Sequence, residues 1–372
     1  MNLICRIITM KALYLTFPLI LLFSCTKANV SDEPAGAEEY GNLRIHFNLD
    51  SQTATKVPSG TGVDDIAVLV YKKDYDFNSP PSALPAPSLN TNSAINAAAS
   101  LYNVLENCHF YHSGDLAGSI PDVNLKVKEG AKIVVVVANP QFTSQNPPMC
   151  GLATNFKFAL KDERFNWFTS CGVNQSVTIT NNNTSDINIT LKRIIIKISL
   201  TELQVKLDQP YKGKTLTDVK VYLKKAYSTT DLLNGIYGIY SSTLTLDGSN
   251  ADDLASLGGN SSFISVGNIG NISDEDSYSF NIVGQNMFCY PLLNSKIMLV
   301  VEATLNGMTY YYPVEISANP NEHISLKIKI TGPGSTTPNN PYLKGAVVTS
   351  LSVQPWTNKN TPDINYTEKF TY

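Results

Sequence analysis

Apolar and polar residues alternate over residues 42–49, with Leu43, Ile45, Phe47 and Leu49 on one side and Arg44, His46 and Asn48 on the other. A period of two marks an extended segment with one buried face. A second strand is predicted over Ile66–Lys72, closing on Val68-Leu69-Val70-Tyr71. Residues 133–138 read I-V-V-V-V-A between Lys132 and Asn139-Pro140, and such an unbroken β-branched run predicts a strand covered on both faces. Strand patterns return at 177–179, 187–191 and 193–200, and again at 219–223, 243–246, 278–283, Ile297–Leu305, 308–314, 324–330 and 347–353. Asn306-Gly307 separates two of these segments. It suits the two-residue hairpin turn, in which both central residues take positive φ. Prolines crowd residues 78–88, predicting a surface loop. Residues 95–105 are the one stretch read as a short helix, before the strand-like Asn107-Cys108-His109-Phe110-Tyr111. The pattern predicts an all-β protein, with a boundary near residue 190 between an N-terminal domain (57–190) and a C-terminal domain (191–372).

The first 24 residues have a different character. Basic Arg6 and Lys11 precede an apolar run over 12–23, and Ser24-Cys25 follows. This is the layout of a secretory signal, and the apolar run is shorter than the roughly 20 residues a membrane-spanning helix needs. The Cys at the cleavage point resembles those of bacterial lipoprotein signals, which implies Cys25 as the lipidated first residue. Each buried lipid methylene adds about 0.8 kcal/mol of membrane affinity, so acylation at Cys25 predicts a membrane anchor. Residues 26–41 are polar and acidic and read as a solvated tether. The run 51–60, S-Q-T-A-T-K-V-P-S-G, reads as an exposed loop with Lys56 in its middle.

Composition narrows the classes of partner. The net charge is −3 and Lys and Arg form no cluster after the signal, which argues against nucleic acid. Beyond Cys5 and Cys25, the cysteines Cys108, Cys150, Cys171 and Cys289 allow three disulfide pairings or none. No nucleotide, triad, zinc-protease or EF-hand motif is present in the sequence. Cys108-His109-x-x-His112 resembles a ligand cluster, but on a strand the two histidines point to opposite faces. The carboxylate groups at Asp64-Asp65, Asp252-Asp253 and 274–276 match no calcium loop. The expectation is a non-enzyme without cofactor or metal. Trp167, Tyr310, Tyr311, Tyr312 and Trp356 are the aromatics that a glycan-binding surface lipoprotein would use, against the plainer reading of strand packing.

The order of several features resembles the fimbrillins, the major fimbrial subunit lipoproteins that build type V pili in Bacteroidales. The resemblance rests on Cys25, the strand from Leu43 to Leu49 with its basic loop, and V-V-V-V-A-N at 134–139. It continues with R-x-x-x-K-I at 193–198, N-x-H-I-x-L-K-I-K-I-T-G-P-G at 321–334 and V-x-P-W at 353–356. It implies two β-sandwich domains of transthyretin-like, Greek-key type and a polymerisation cycle. A trypsin-like surface protease would cut near Lys56 (family members commonly carry Arg there), and the strand bearing Leu43, Ile45, Phe47 and Leu49 would depart. The vacated groove would accept a donor strand from 346–372 of another copy or a related subunit, with Val347, Thr349, Leu351, Val353 and Trp356 as candidate contacts. The departing strand is expected at an edge of its sandwich. The implied function is a pilin supporting adhesion to host or bacterial ligands. Fimbrial anchor, tip subunit and glycan-binding lipoprotein are the alternatives.

Overall fold

The structure is a computed structural model. It describes residues 39–49, 63–73, 105–112, 122–145, 147–148, 157–164, 168–231, 245–279, 286–291, 296–340 and 344–356. The first part of the chain supplies β1 (Tyr40–Leu49), β2 (Ile66–Lys72), β3 (Leu105–Tyr111), β4 (Val123–Lys128), β5 (Gly130–Ala138), β6 (Lys157–Ala159), β7 (Ser170–Ile179) and β8 (Thr184–Arg193). The remainder supplies β9 (Ile196–Val205), β10 (Thr215–Lys224), β11 (Ala226–Tyr227), β12 (Thr229–Asp231), β13 (Thr245–Leu246), β14 (Ser265–Ser273) and β15 (Ser277–Ser279). It ends with β16 (Asn286–Cys289), β17 (Ile297–Leu305), β18 (Met308–Ile316), β19 (Glu322–Ile330) and β20 (Ala346–Pro355). A single short α-helix, Ala251–Ser256, stands among the described residues. It starts where the Asn250 side chain accepts from the Asp252 amide, an N-cap that satisfies one orphan donor.

Strands β3-β2-β5-β7-β8-β1-β4 form one sheet in that order. β7 and β8 pair only over Ser170–Arg193 and Cys171–Lys192, so the sheet folds over at this corner and its two parts face each other. Leu43 and Ile45 of β1 and Val123, Leu125 and Val127 of β4 meet Val68 and Val70 of β2 and Val134 and Val136 of β5 inside it. The period of two then explains the unbroken apolar runs. Leu69 and Tyr71 of β2 and Ile133, Val135 and Val137 of β5 point the other way, into a second core. That core is shared with the sheets β15-β9-β19-β20, to which β16 adds by pairing with β9, and β14-β10-β17-β18. Burial of Ile133 through Ala138 on both faces is therefore what joins the two layers of structure. A small ladder between β6 and β12 makes a further connection. The described strands all belong to one compact unit that begins at Glu38.

Local chemistry accounts for the turns. Asn306 and Gly307 have φ of 53° and 78°, the pair of positive values that closes a two-residue hairpin between β17 and β18. The G-P-G run after β19 folds against Tyr312, whose hydroxyl donates to the Gly332 carbonyl at 3.0 Å. Gly345, with φ of 65°, enters β20 from this loop, and a Cβ there would collide with the Pro333 carbonyl oxygen. Gly345→Ala is expected to lower stability by about 1–3 kcal/mol, through backbone strain that no side-chain shift relieves. Thermal unfolding of the variant measures it.

Candidate functional site

The strand expected to depart is held more firmly than an edge strand. β1 lies between two others, antiparallel to β4 from Tyr40–Lys128 to Ile45–Val123 and parallel to β8 from Asn42–Thr184 to Leu49–Leu191. The expectation of an edge position is thus corrected. β4 is the edge, and β1 is the strip that joins β4 to the sheet. A parallel neighbour needs a long connection in the chain, which strand-by-strand reading of the sequence does not reveal.

Leu43 and Ile45 are completely buried, and Phe47 is half-buried against the same core. Each large apolar group contributes about 1.5–3 kcal/mol on burial. Leu49 closes the register opposite Leu191. On the outer face, Arg44 donates to the Asn124 side chain at 3.2 Å and pairs with Asp186 at 3.4 Å. His46 lies 2.9 Å from Asp122 and 3.6 Å from Asp186. These exposed polar contacts reach to both sides of β1. They add at most about 1 kcal/mol each, so apolar burial and the two ladders do most of the holding. Withdrawal of β1 would leave a slot with unpaired backbone groups on both walls and an apolar floor, which a single extended segment matches.

At the other end of the chain, β20 is seated on β19 as the last strand of its sheet. A bulge at Thr349 breaks the simple alternation. Ala346, Val348, Leu351 and Val353 lie opposite the core residues Ile330, Ile328, Leu326 and Ile324, while Val347 lies opposite Lys329. The set Val347, Thr349, Leu351 and Val353 is therefore divided between the faces. Val347 is 49% exposed and Val353 43%.

Three sequence features singled out one by one converge where β20 ends. Trp356 is buried, its ring 5.2 Å from that of Phe168 and 5.6 Å from that of Phe288. The Arg193 guanidinium lies 4.6 Å above the indole and donates to the Trp356 carbonyl at 2.9 Å. Asn321, in the left-handed region with φ of 63°, accepts from the Trp356 amide at 2.6 Å through its carbonyl and from Arg193 at 3.4 Å through its side chain. Trp356 is an anchor, and not a surface for sugars. Tyr310 and Tyr312 are likewise in the core.

Two further polar knots carry no mark in the sequence pattern of strands. Asn139 adopts φ of 51°, accepts from the Asp64 amide at 2.8 Å and donates to the Phe168 carbonyl at 3.2 Å. Its position before Pro140, at the end of an apolar strand, is the signal that marks such a turn. Glu163, 2% exposed, accepts from the Thr169 amide at 2.9 Å and the Tyr290 hydroxyl at 2.7 Å. Burial pushes its carboxyl up to about 7. No local pattern announces it.

Cys25, Lys56, Cys150, Trp167 and residues 357–372 lie outside the described residues, as do most of 95–105 apart from Leu105, which opens β3. Cys171 and Cys289 are buried, and burial pushes both thiols up. Cys108 is half-buried on β3. His109 and His112 belong to different surroundings, His109 beside Tyr111 and His112 against Asp65 at 3.0 Å. Asp274 accepts from the amides of Leu207, Gly213 and Glu275, a structural turn. Among the described residues no group of three potential ligands approaches a metal geometry, and no helix is long and apolar enough to cross a membrane.

Fold and site together define an all-β, sandwich-type protein whose first strand is gripped on both edges and whose last described strand ends in a buried aromatic anchor. No family model and no curated protein matches the sequence. Solved structures do match the fold. One is a fimbrilin from Porphyromonas gingivalis W83, 14% identical, with a TM-score of 0.52 over 87% of this chain and 99% of that one. Another is described as a "putative cell adhesion protein" from Bacteroides eggerthii, 12% identical, with a TM-score of 0.54 over 86% of this chain and 97% of that one. At these identities the likeness is one of fold. The all-β, sandwich-type fold that the fimbrillin resemblance implies is the fold found.

Proposed function

We propose that this chain is a structural subunit of a cell-surface fimbria. It is exported as an outer-membrane lipoprotein through Cys25, cut near Lys56 and polymerised with other copies or related subunits by donor-strand exchange, and the resulting fimbria supports adhesion. The observation that carries the reading is the placement of β1 between β4 and β8. Once it is released, the slot it leaves is shaped for one incoming strand and for little else. The fimbrilin and adhesion proteins that share the fold support the same reading, and with it a non-catalytic role and a place at the cell surface.

The connection 50–62 contains a single basic residue, Lys56, so one trypsin-like cut frees β1 from the rest of the chain. The donor segment is expected beyond Trp356. β20 is already paired to β19 and locked at its end, whereas Ile364, Tyr366, Phe370 and Tyr372 share one parity in the tail, interrupted by Glu368, a spacing close to that of a half-buried strand. The assembly test is limited trypsin treatment of the purified chain followed by electron microscopy and size-exclusion chromatography. Filaments are expected from the cut protein and monomers from Lys56→Gln, from the uncut chain and from a chain ending at Trp356. Filaments from uncut protein, or a cut protein that stays monomeric, would overturn the reading.

A further inference from the structure

An open cavity of about 690 Å³ lies at the end of the β2–β5 layer, and no residue of β1 lines it. Its apolar wall is formed by Phe110, from β3, and Phe142, from the turn after β5. The rings are 6.0 Å apart and nearly perpendicular, at 86°, so together they present a face and an edge. Both are half-buried. The polar part of the lining carries a chain of contacts that is already assembled. Arg164 bridges Asp64 at 3.3 Å and Asp65 at 3.4 Å, and Asp65 in turn holds His112 at 3.0 Å. Exposed Gln145 and Asp162 complete the polar rim.

We infer that this cavity is a binding site for a neutral saccharide. The volume fits a ligand of one to a few rings, within the roughly 300–1,000 Å³ of small-molecule sites. A pyranose has one flat C–H face, which matches an aromatic wall, and hydroxyls that both donate and accept. Carboxylates Asp65 and Asp162 take the donated hydrogens, while Gln145 and the guanidinium of Arg164, which has five N–H donors, supply the complement. The ion pairs fix the Arg164 plane before a ligand arrives, which reduces the ordering cost of binding. Asp64 and Asp65 already offset the charge of Arg164, and Asp162 adds a further carboxylate to the lining, so an anionic sugar is disfavoured. The aromatic surface for a glycan is thus here, and not at Tyr310, Tyr312 or Trp356.

Binding at this site requires only the folded subunit, and its test is separate from assembly. The purified full chain is titrated with glucose, galactose, mannose, N-acetylglucosamine and their common disaccharides, and with sialyllactose as the anionic comparison. Saturation-transfer NMR and calorimetry provide the readout. At least one neutral sugar is expected to bind, with Phe142→Ala weakening it about tenfold or more. Asp162→Asn and Gln145→Ala change exposed groups, leave the fold intact and are expected to weaken binding severalfold. The inference is overturned if no neutral sugar binds, if sialyllactose binds in preference, or if all three variants bind as the parent does.

Discussion

Trp356→Ala is expected to lower unfolding stability by about 3–5 kcal/mol, the range for removing a large aromatic from a core. The indole packs against both Phe168 and Phe288, whose rings already touch each other at 4.8 Å, so its loss leaves a cavity beside a pair of rings that close packing keeps from filling it. Arg193 loses its stacking surface at the same time, although its bond to the residue 356 carbonyl is available to any side chain. Trp356→Phe should recover a substantial part of the loss, and Arg193→Lys should cost less than Trp356→Ala because an ammonium keeps the charge while giving up the planar stack. Urea unfolding monitored by circular dichroism ranks the three. A Trp356→Ala midpoint indistinguishable from the parent would show that the aromatic cluster contributes nothing to holding β20, and would remove the reason for placing the donor segment beyond it.

The anchor also shows what a one-dimensional reading can and cannot deliver. Arg193, Asn321 and Trp356 each stand out in the sequence, but Arg193 is separated from the other two by more than a hundred positions, and only the folded sheets bring them to one point. Strand existence is far easier to read. β2 runs over the residues that its pattern predicts, and β5 is buried on both faces, as its run of valines demands. The Asn306-Gly307 turn can be placed to the residue because positive φ at two successive positions is a local requirement. Strand order is a different kind of property. The period of two in β1 says that one face is buried, but says nothing about which strands flank it, and so it leaves open the insertion between β4 and β8. The bulge at Thr349 is similar, since an extra residue changes the face of everything beyond it without altering composition. Buried polar residues such as Glu163 are the least legible, because their partners lie on distant segments.

Glu163 and His323 are expected to pull stability in opposite directions with pH, and to hide one another in the parent protein. Burial raises the Glu163 carboxyl from its ordinary 4.5 to about 7. The folded state therefore holds a proton that the unfolded state has lost, and stability falls as pH rises from about 4.5 to about 7. At about 1.4 kcal/mol per pH unit the full penalty is on the order of 3 kcal/mol. His323 is half-buried on β19, with Ser199 at 2.8 Å and Ser325 at 3.4 Å from Nε2. Burial, helped by the positive charge of Lys197, lowers it from 6.5 to about 4. Here the unfolded state binds the extra proton, so stability rises with pH from about 4 to about 6.5. Solvent reaches this ring in part, which makes its contribution the smaller of the two. Between about pH 4.5 and 6.5 the two slopes oppose, and the profile from these groups is shallow in the parent. Glu163→Gln keeps an acceptor for the Thr169 amide and a donor for the Tyr290 oxygen, so it mimics the protonated carboxyl. It should match the parent near pH 4.5, exceed it above pH 7, and expose the rising limb that His323 produces. His323→Gln should do the reverse and reveal a clear fall from pH 4.5 to 7. Urea midpoints of the parent and both variants across this range, taken as differences so that the surface carboxylates cancel, decide the matter. Parallel curves for all three proteins would show that neither group titrates differently in the folded chain.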